Sequence, residues 1–364
     1  MRKFIGTIFL VGILYFSWPT IEQLILKSDF SKPYLTLKEK IETIYTTLDN
    51  HSVLDYMNEA KDKFIPTTDK NNDTDSSKVV LLENDFSINH ISLKDPRSLV
   101  ELANGTPKNA FINEFGSTWY VYHRNYENFI MVSYDSNDLV DAIYTNQPNI
   151  NSKYTITEQS SMEQIRQTLQ NRKTAIIKEN TYLAIDEQFD LFELETYDVT
   201  FFYDHKKDNV ISAILLIDKN LEEQKKTFYA APSEELQQAY EQQMFEVINA
   251  TRAKFNLSTL TYNAPLALTA FKHSEDMATN NFFSHQNLKG ESPFDRMEKD
   301  QLNFTFAGEN LASGQFNSIY AHEALMNSQG HRDNILNKDF EQIGIGVDFN
   351  NGNVPYYTIK FYTP

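Results

Sequence analysis

His285, Glu309 and His331, with Ser284 and Ser328 near them in sequence, are the side chains of this chain best suited to chemistry. Two neutral imidazoles and a carboxylate make a good ligand set for a first-row divalent ion such as zinc, and three protein ligands with one open position is the arrangement of catalytic zinc. Separations of 24 and 22 residues form no local metal motif, so spacing alone does not join them. Two other chemistries stay open. The three groups can satisfy one another as a hydrogen-bonded polar cluster, or Ser284 or Ser328 can pair with His331, although neither serine lies in a nucleophile-elbow sequence. His322-Glu323 begins like a zinc-protease helix, but Met326 stands four residues after the histidine. The two-histidine face is missing, and both residues read as solvated or locally bonded helix groups. His273 falls on an apolar helix face and reads as a hydrogen-bonded core residue. There is no cysteine, which removes disulfides, thiolate nucleophiles and cysteine metal sites.

The elements that must position these residues can be read from periodicity. Ser233 caps a helix with Glu234 and Glu235 in its first turn, and Leu236, Tyr240, Met244, Val247 and Ile248 form its apolar stripe to about Asn256. Asn263 caps a second helix, with Pro265 in its first turn and Leu266, Ala270, His273 and Met277 on one face. That helix runs out at Asn280-Asn281, which leaves His285 in the following loop. Glu309 lies in AGENLASG, between glycines that allow close backbone approach. A third helix from about Asn317 is expected to end at Ser328-Gln329-Gly330, with His331 just beyond it. IGIGVDF and VPYYTIKFY then form a hairpin, with Ile343, Ile345 and Val347 sharing a face and Tyr357, Ile359 and Phe361 matching them on the return strand. Helices over a hairpin-containing antiparallel sheet give an α+β layered domain over 233–364.

Upstream, the 364 residues leave room for further folded units. Seven of the 11 glycines follow Pro232, a composition shift that places a domain boundary there. Residues 79–228 hold a diverged duplication. MVSYDSNDLVDAIYT (131–145) reads like TFFYDHKKDNVISAILLID (200–218), the offset drifting from 69 residues at Tyr-Asp to 71 at Ala-Ile, with a candidate helix before each copy. Residues 22–78 read as a helical stalk, carried by Leu37, Ile41, Ile44 and Leu48, followed by the polar linker TDKNNDTDSS. At the start, Arg2-Lys3 precedes an uncharged apolar run, Phe4–Trp18, that as a helix spans roughly 22 Å against a hydrocarbon core of roughly 30 Å. Residues 1–21 therefore read as a signal peptide or an uncleaved anchor. No small-x-small cleavage pattern follows, which favours the anchor, with the bulk of the chain extracytoplasmic and secretion after cleavage as the alternative. The net charge of −17, from 33 basic and 50 acidic residues spread along the chain, argues against nucleic-acid binding.

The ordered series SH (284–285), GENLASG (308–314), NSQGHRDNIL (327–336) and GIGVDF (344–349) resembles the CAP superfamily: cysteine-rich secretory proteins, antigen 5 and pathogenesis-related 1 proteins, here in a cysteine-free bacterial form. GSTWYVY (116–122) and YDSNDLVDAIYT (134–145) resemble the CAP-associated domain that precedes such modules in spore-forming and related Gram-positive bacteria. The resemblance implies a three-layer α-β-α sandwich with a wide cavity, lined by His285, Glu309, His331 and Ser328. It also implies that the first three could hold a divalent cation. Two positions depart from the family pattern. A usual tryptophan is Leu325, and the second acidic position of eukaryotic relatives falls at Ser328, which leaves the site one carboxylate short. The expected function is a membrane-tethered binding or regulatory module for an extracytoplasmic peptide, protein, lipid or wall fragment, with a metal-dependent extracellular hydrolase as the alternative.

Overall fold

The computed structural model describes residues 85–364 apart from 180 and 186. The apolar run, the stalk helix and the polar linker expected before residue 79 lie outside the described residues, among which no helix is long and apolar enough to cross a membrane.

The first part of the described chain runs β1 (Phe86–Ile88), α1 (Arg97–Asn104), β2 (Asn109–Ile112), β3 (Thr118–Arg124), β4 (Glu127–Tyr134), β5 (Val140–Thr145), β6 (Ile150–Ser152), α2 (Met162–Thr168), β7 (Arg172–Lys173), β8 (Ala175–Lys178), β9 (Thr181–Ala184), β10 (Phe189–Glu193), β11 (Tyr197–Asp204), β12 (Val210–Asp218) and the short α3 (Lys219–Glu222). The two similar segments of sequence become two halves of one eight-stranded antiparallel sheet, in the order β2-β3-β4-β5-β12-β11-β10-β7. They join where Ile214–Ile217 of β12 pair with Ala142–Thr145 of β5. Each half carries a bulge at an equivalent place, Ser133/Tyr134 in one and Phe202/Tyr203 in the other. A bulge bends and twists its strand locally, so both halves bend next to their Tyr-Asp pair. Both faces of the sheet are apolar. Phe129 and Met131 alternate with Ile130 and Val132 on β4, as Leu215 does with Ile214 and Leu216 on β12, and each alternate set joins a different core.

The second part runs α4 (Glu234–Lys254), β13 (Thr261–Tyr262), α5 (Ala264–Asn280), α6 (Pro293–Lys299), β14 (Phe306–Ser313), α7 (Ser318–Asn327), α8 (Gln329–Ile335), β15 (Gln342–Phe349) and β16 (Pro355–Thr363). The caps are those the sequence predicts: Ser233 Oγ accepts from Leu236 N, and Asn263 Oδ1 from Leu266 N. A four-stranded sheet, β13-β15-β16-β14, is covered by α5 on one face and by α4 and α7 on the other. Helix α5 lies directly on the backbone of β15. A Cβ at Gly346 would stand 2.1 Å from Phe271 N, and one at Gly344 2.4 Å from Ala267 N, so both positions require glycine.

Helices α4 and α7 are covered twice. Beyond the four-stranded sheet they meet the eight-stranded sheet, α4 against β2 and β4 and α7 against β11. One core therefore runs from Trp119, Met131 and Leu215 through Met244, Val247 and Ile319 to Ile345 and Ile359. This corrects the expectation for His322 and Glu323. Helix α7 has no solvated side at that point, and both residues are buried, His322 Nε2 lying 2.7 Å from Thr251 Oγ1. The expected helix end is also different. The chain kinks at Ser328 and re-enters a helix at Gln329, so Gly330 and His331 lie inside α8.

Candidate functional site

The loop carrying His285 begins where Asn281 ends α5 in a left-handed conformation, φ 50°. It is held from beneath by two buried side chains. His273 Nε2 donates to the Ser284 carbonyl at 2.9 Å, and Arg296 Nη1 donates to the carbonyls of His285 (2.8 Å) and Glu291 (3.0 Å). Burial, reinforced by the Arg296 charge, pulls the His273 imidazole down to about 4, so it is neutral and structural, in keeping with its place on the apolar face of α5. Arg296 is fixed in turn by α6, whose start is a capping box between Ser292 and Asp295.

Glu309 projects from β14 into this arrangement. Its Oε1 accepts from His285 Nδ1 at 2.9 Å. Its Oε2 accepts from both Arg296 Nη2 at 2.8 Å and Lys360 Nζ at 2.7 Å. Lys360 is the residue directly opposite Glu309 in the β14–β16 ladder, and its side chain is fully buried. Burial alone would raise the Glu309 carboxyl. The His285 bond and the charges of Lys360 and Arg296 outweigh that and hold it down at about 2, so it is an anion throughout the physiological range. Because the carboxylate accepts, His285 Nδ1 carries the proton and, in the neutral ring, Nε2 is left as an acceptor on a side chain that is 52% exposed.

His331 is brought to the same neighbourhood by backbone and amide contacts. Asn310 Nδ2 donates to the His331 carbonyl at 2.9 Å, while Asn334 Nδ2 reaches Asn310 Oδ1 at 2.8 Å and the Glu309 carbonyl at 3.3 Å. Of the glycines around Glu309, Gly308 is the one that allows this approach, since a Cβ there would lie 2.9 Å from Phe340 Cζ and 3.0 Å from Asn334 Oδ1. The His331 ring is half-buried, and burial together with the nearby His285 lowers its pKa. Among the described residues its ring makes no hydrogen bond with Glu309, Ser284 or Ser328. Ser284 Oγ accepts from Gln286 N instead, and Ser328 is exposed at the start of α8.

The donor set does not suit a divalent cation. Among the described residues no three His, Asp or Glu side chains are placed to hold an ion. The physical reason is local: a metal approaching Glu309 would meet a guanidinium and an ammonium already bound to the same oxygen. His285 and Glu309 do meet, but as a hydrogen-bonded pair whose carboxylate is occupied. Sequence reasoning missed Arg296 and Lys360. Lys360 had a signal, a charged residue in the middle of the strand YTIKFY, which only a buried partner makes tolerable.

The architecture and these motifs agree with two family models. Residues 245–361 are a CAP domain, matching the cysteine-rich secretory protein family, and residues 93–228 a CAP-associated N-terminal domain. Two relatives come from Bacillus subtilis. An uncharacterized membrane protein, YlbC, is 40% identical over 126 residues, 35% of each chain, and an uncharacterized protein, YkwD, is 43% identical over 108 residues, 30% of this chain and 42% of that one. The chain therefore aligns with well under half the length of either. Among solved structures, an extracellular SCP-domain protein from Bacillus anthracis superposes with a TM-score of 0.62 at 21% identity, covering 82% of this chain and all of that one. A cysteine-rich secretory protein from Staphylococcus aureus gives 0.58 at 16% identity, covering 75% of this chain and 91% of that one. Both show the fold.

Proposed function

We propose that this chain is a membrane-tethered, extracytoplasmic binding module in which the loop around His285 recognises a peptide or wall fragment. The observation that carries the reading is the double engagement of Glu309 Oε2 by Arg296 and Lys360. A carboxylate so occupied is a poor metal ligand and a poor general base. What it does well is fix the orientation of His285 through Nδ1, leaving Nε2 as a single directed polar atom. The same loop and the first turn of α6 place Phe283, Leu288 and Phe294 in solvent, apolar side chains that a bound partner would cover. The setting outside the membrane rests on the apolar N-terminal run and on the description of YlbC as a membrane protein.

The test is a peptide and wall-fragment array probed with the full chain and with His285→Ala. Retention on a defined subset, reduced roughly tenfold or more by the substitution, is the expected result. The same peptides are followed by mass spectrometry. Cleavage that disappears in His285→Gln and returns with added zinc would replace this reading by the hydrolase.

A further inference from the structure

A second candidate site lies far from His285 in the chain, where the eight-stranded sheet meets the CAP domain. A cavity of about 510 Å³, within the size range of ligand pockets, opens between the β8–β9 hairpin, the end of the sheet at β7 and β10, and the start of α7. Glu114 and Asp198 line it. Glu114 is 7% exposed, and although its Oε1 accepts from Asn317 Nδ2, its Oε2 has no hydrogen-bond partner. Asp198 Oδ1 is likewise buried without a partner. Two buried carboxylate oxygens lacking donors are costly, and the group that would complete them is a donor of positive charge. Burial keeps both carboxyls above their ordinary range, Asp198 at about 6, although Lys225 pulls Glu114 down and Lys219 and Lys173, which also line the cavity, pull Asp198 down; a cation entering beside them would draw out the anionic form.

The wall beside them already accepts such a group. The Lys225 ammonium lies 5.4 Å from the ring centroids of both Phe115 and Phe316, two aromatic residues of the same lining. Above the cavity, Ile177 and Tyr182 of the hairpin are 68% and 64% exposed, apolar surface available to the remainder of a larger ligand. We infer that this cavity binds the alkylammonium group of a lysine side chain carried on a peptide, with Glu114 and Asp198 as acceptors and Lys225 as the resident competitor for the aromatic pair. This site is independent of the reading of His285.

Calorimetric titration of the full chain with the capped tripeptide Ac-Ala-Lys-Ala-NH2 tests it. Binding is expected to fall at least tenfold in Asp198→Asn and in Glu114→Gln, to vanish when the lysine is Nε-acetylated, and to tighten several-fold in Lys225→Met. Asp198→Asn is the decisive variant, because the Asp198 side chain makes no hydrogen bond whose loss would disturb the fold, and His285→Ala should leave this binding unchanged. Equal binding of the acetylated peptide, indifference to Asp198→Asn, or no heat at millimolar peptide, meaning a cavity filled by solvent only, overturns the inference.

Discussion

Glu309 and Glu323 are both buried, both hydrogen-bonded through each oxygen, and only 14 residues apart in sequence, yet they are opposite in character. Glu309 receives a guanidinium and an ammonium from within its own domain and is driven down to about 2. Glu323 receives two neutral hydroxyls across the domain boundary, Tyr144 at 3.0 Å and Ser212 at 2.7 Å, and burial raises it above its ordinary value. The difference teaches that the type of donor decides what a buried carboxylate is for. Fixed cations make it a permanent structural anion, whereas neutral donors leave it able to take a proton. Glu309 belongs to the first kind, and that is why the carboxylate is fully engaged while the neighbouring His285 ring keeps one nitrogen turned away from it.

The sharpest way to break the comparison is to remove one partner of Glu309. Lys360→Met takes away one of the two cations on a buried carboxylate, leaving Arg296 and His285 in place, and should cost roughly 3 kcal/mol or more in denaturant unfolding, while adding Glu309→Leu should recover only part of it because Arg296 then loses its carboxylate. A loss under about 1 kcal/mol in the single variant would show that Lys360 matters through packing alone. Next in size is the matched pair of amides. Glu309→Gln gives up charge–charge attraction worth roughly 3 kcal/mol by its depressed pKa. Glu323→Gln should cost only about 1 kcal/mol, since a neutral amide oxygen still accepts from a hydroxyl. Equal losses would erase the distinction.

The smallest effect is the dependence on pH, and its two halves have opposite sign. Glu309 stabilises the fold above the unfolded carboxyl value of 4.5, and that contribution is lost as pH falls towards 2. Glu114, Glu246 and Glu323 are raised by burial, and each bonds across the boundary, to Asn317, Asn109, and Tyr144 with Ser212. Their contribution is complete below the unfolded value and is lost as pH rises through the folded ones. Hydrogen exchange corrected for intrinsic rates should therefore show α7 better protected near pH 5 than near pH 8, with Glu323→Gln flattening the trend. A trend of opposite sign would place the strain elsewhere.

Much of this was legible in the sequence where the signal is local. Ser233 and Asn263 announce their helices because a cap needs only three following residues, and Tyr357, Ile359 and Phe361 announce a buried face because a strand repeats every two. The duplicated Tyr-Asp turns pointed to two related units, although not to their fusion into one sheet, which depends on β5 pairing with β12 about 70 residues away. His322 and Glu323 were misread because a helix covered on both sides looks, in sequence, like one with a polar face. The Glu309 cluster draws on α6, β14 and β16 and the loop after α5, a convergence that no window of sequence contains.

The apolar layer shared by Met131, Leu215, Met244 and Ile319 gives the two recognisable sequence modules a common fate. Cutting the chain near Pro232 would not liberate a tidy C-terminal piece; it would bare an oily slab on each fragment and invite clumping. A module exchanged at that boundary would have to bring a matching face with it, because the border between the two stretches of sequence is not a joint in the molecule.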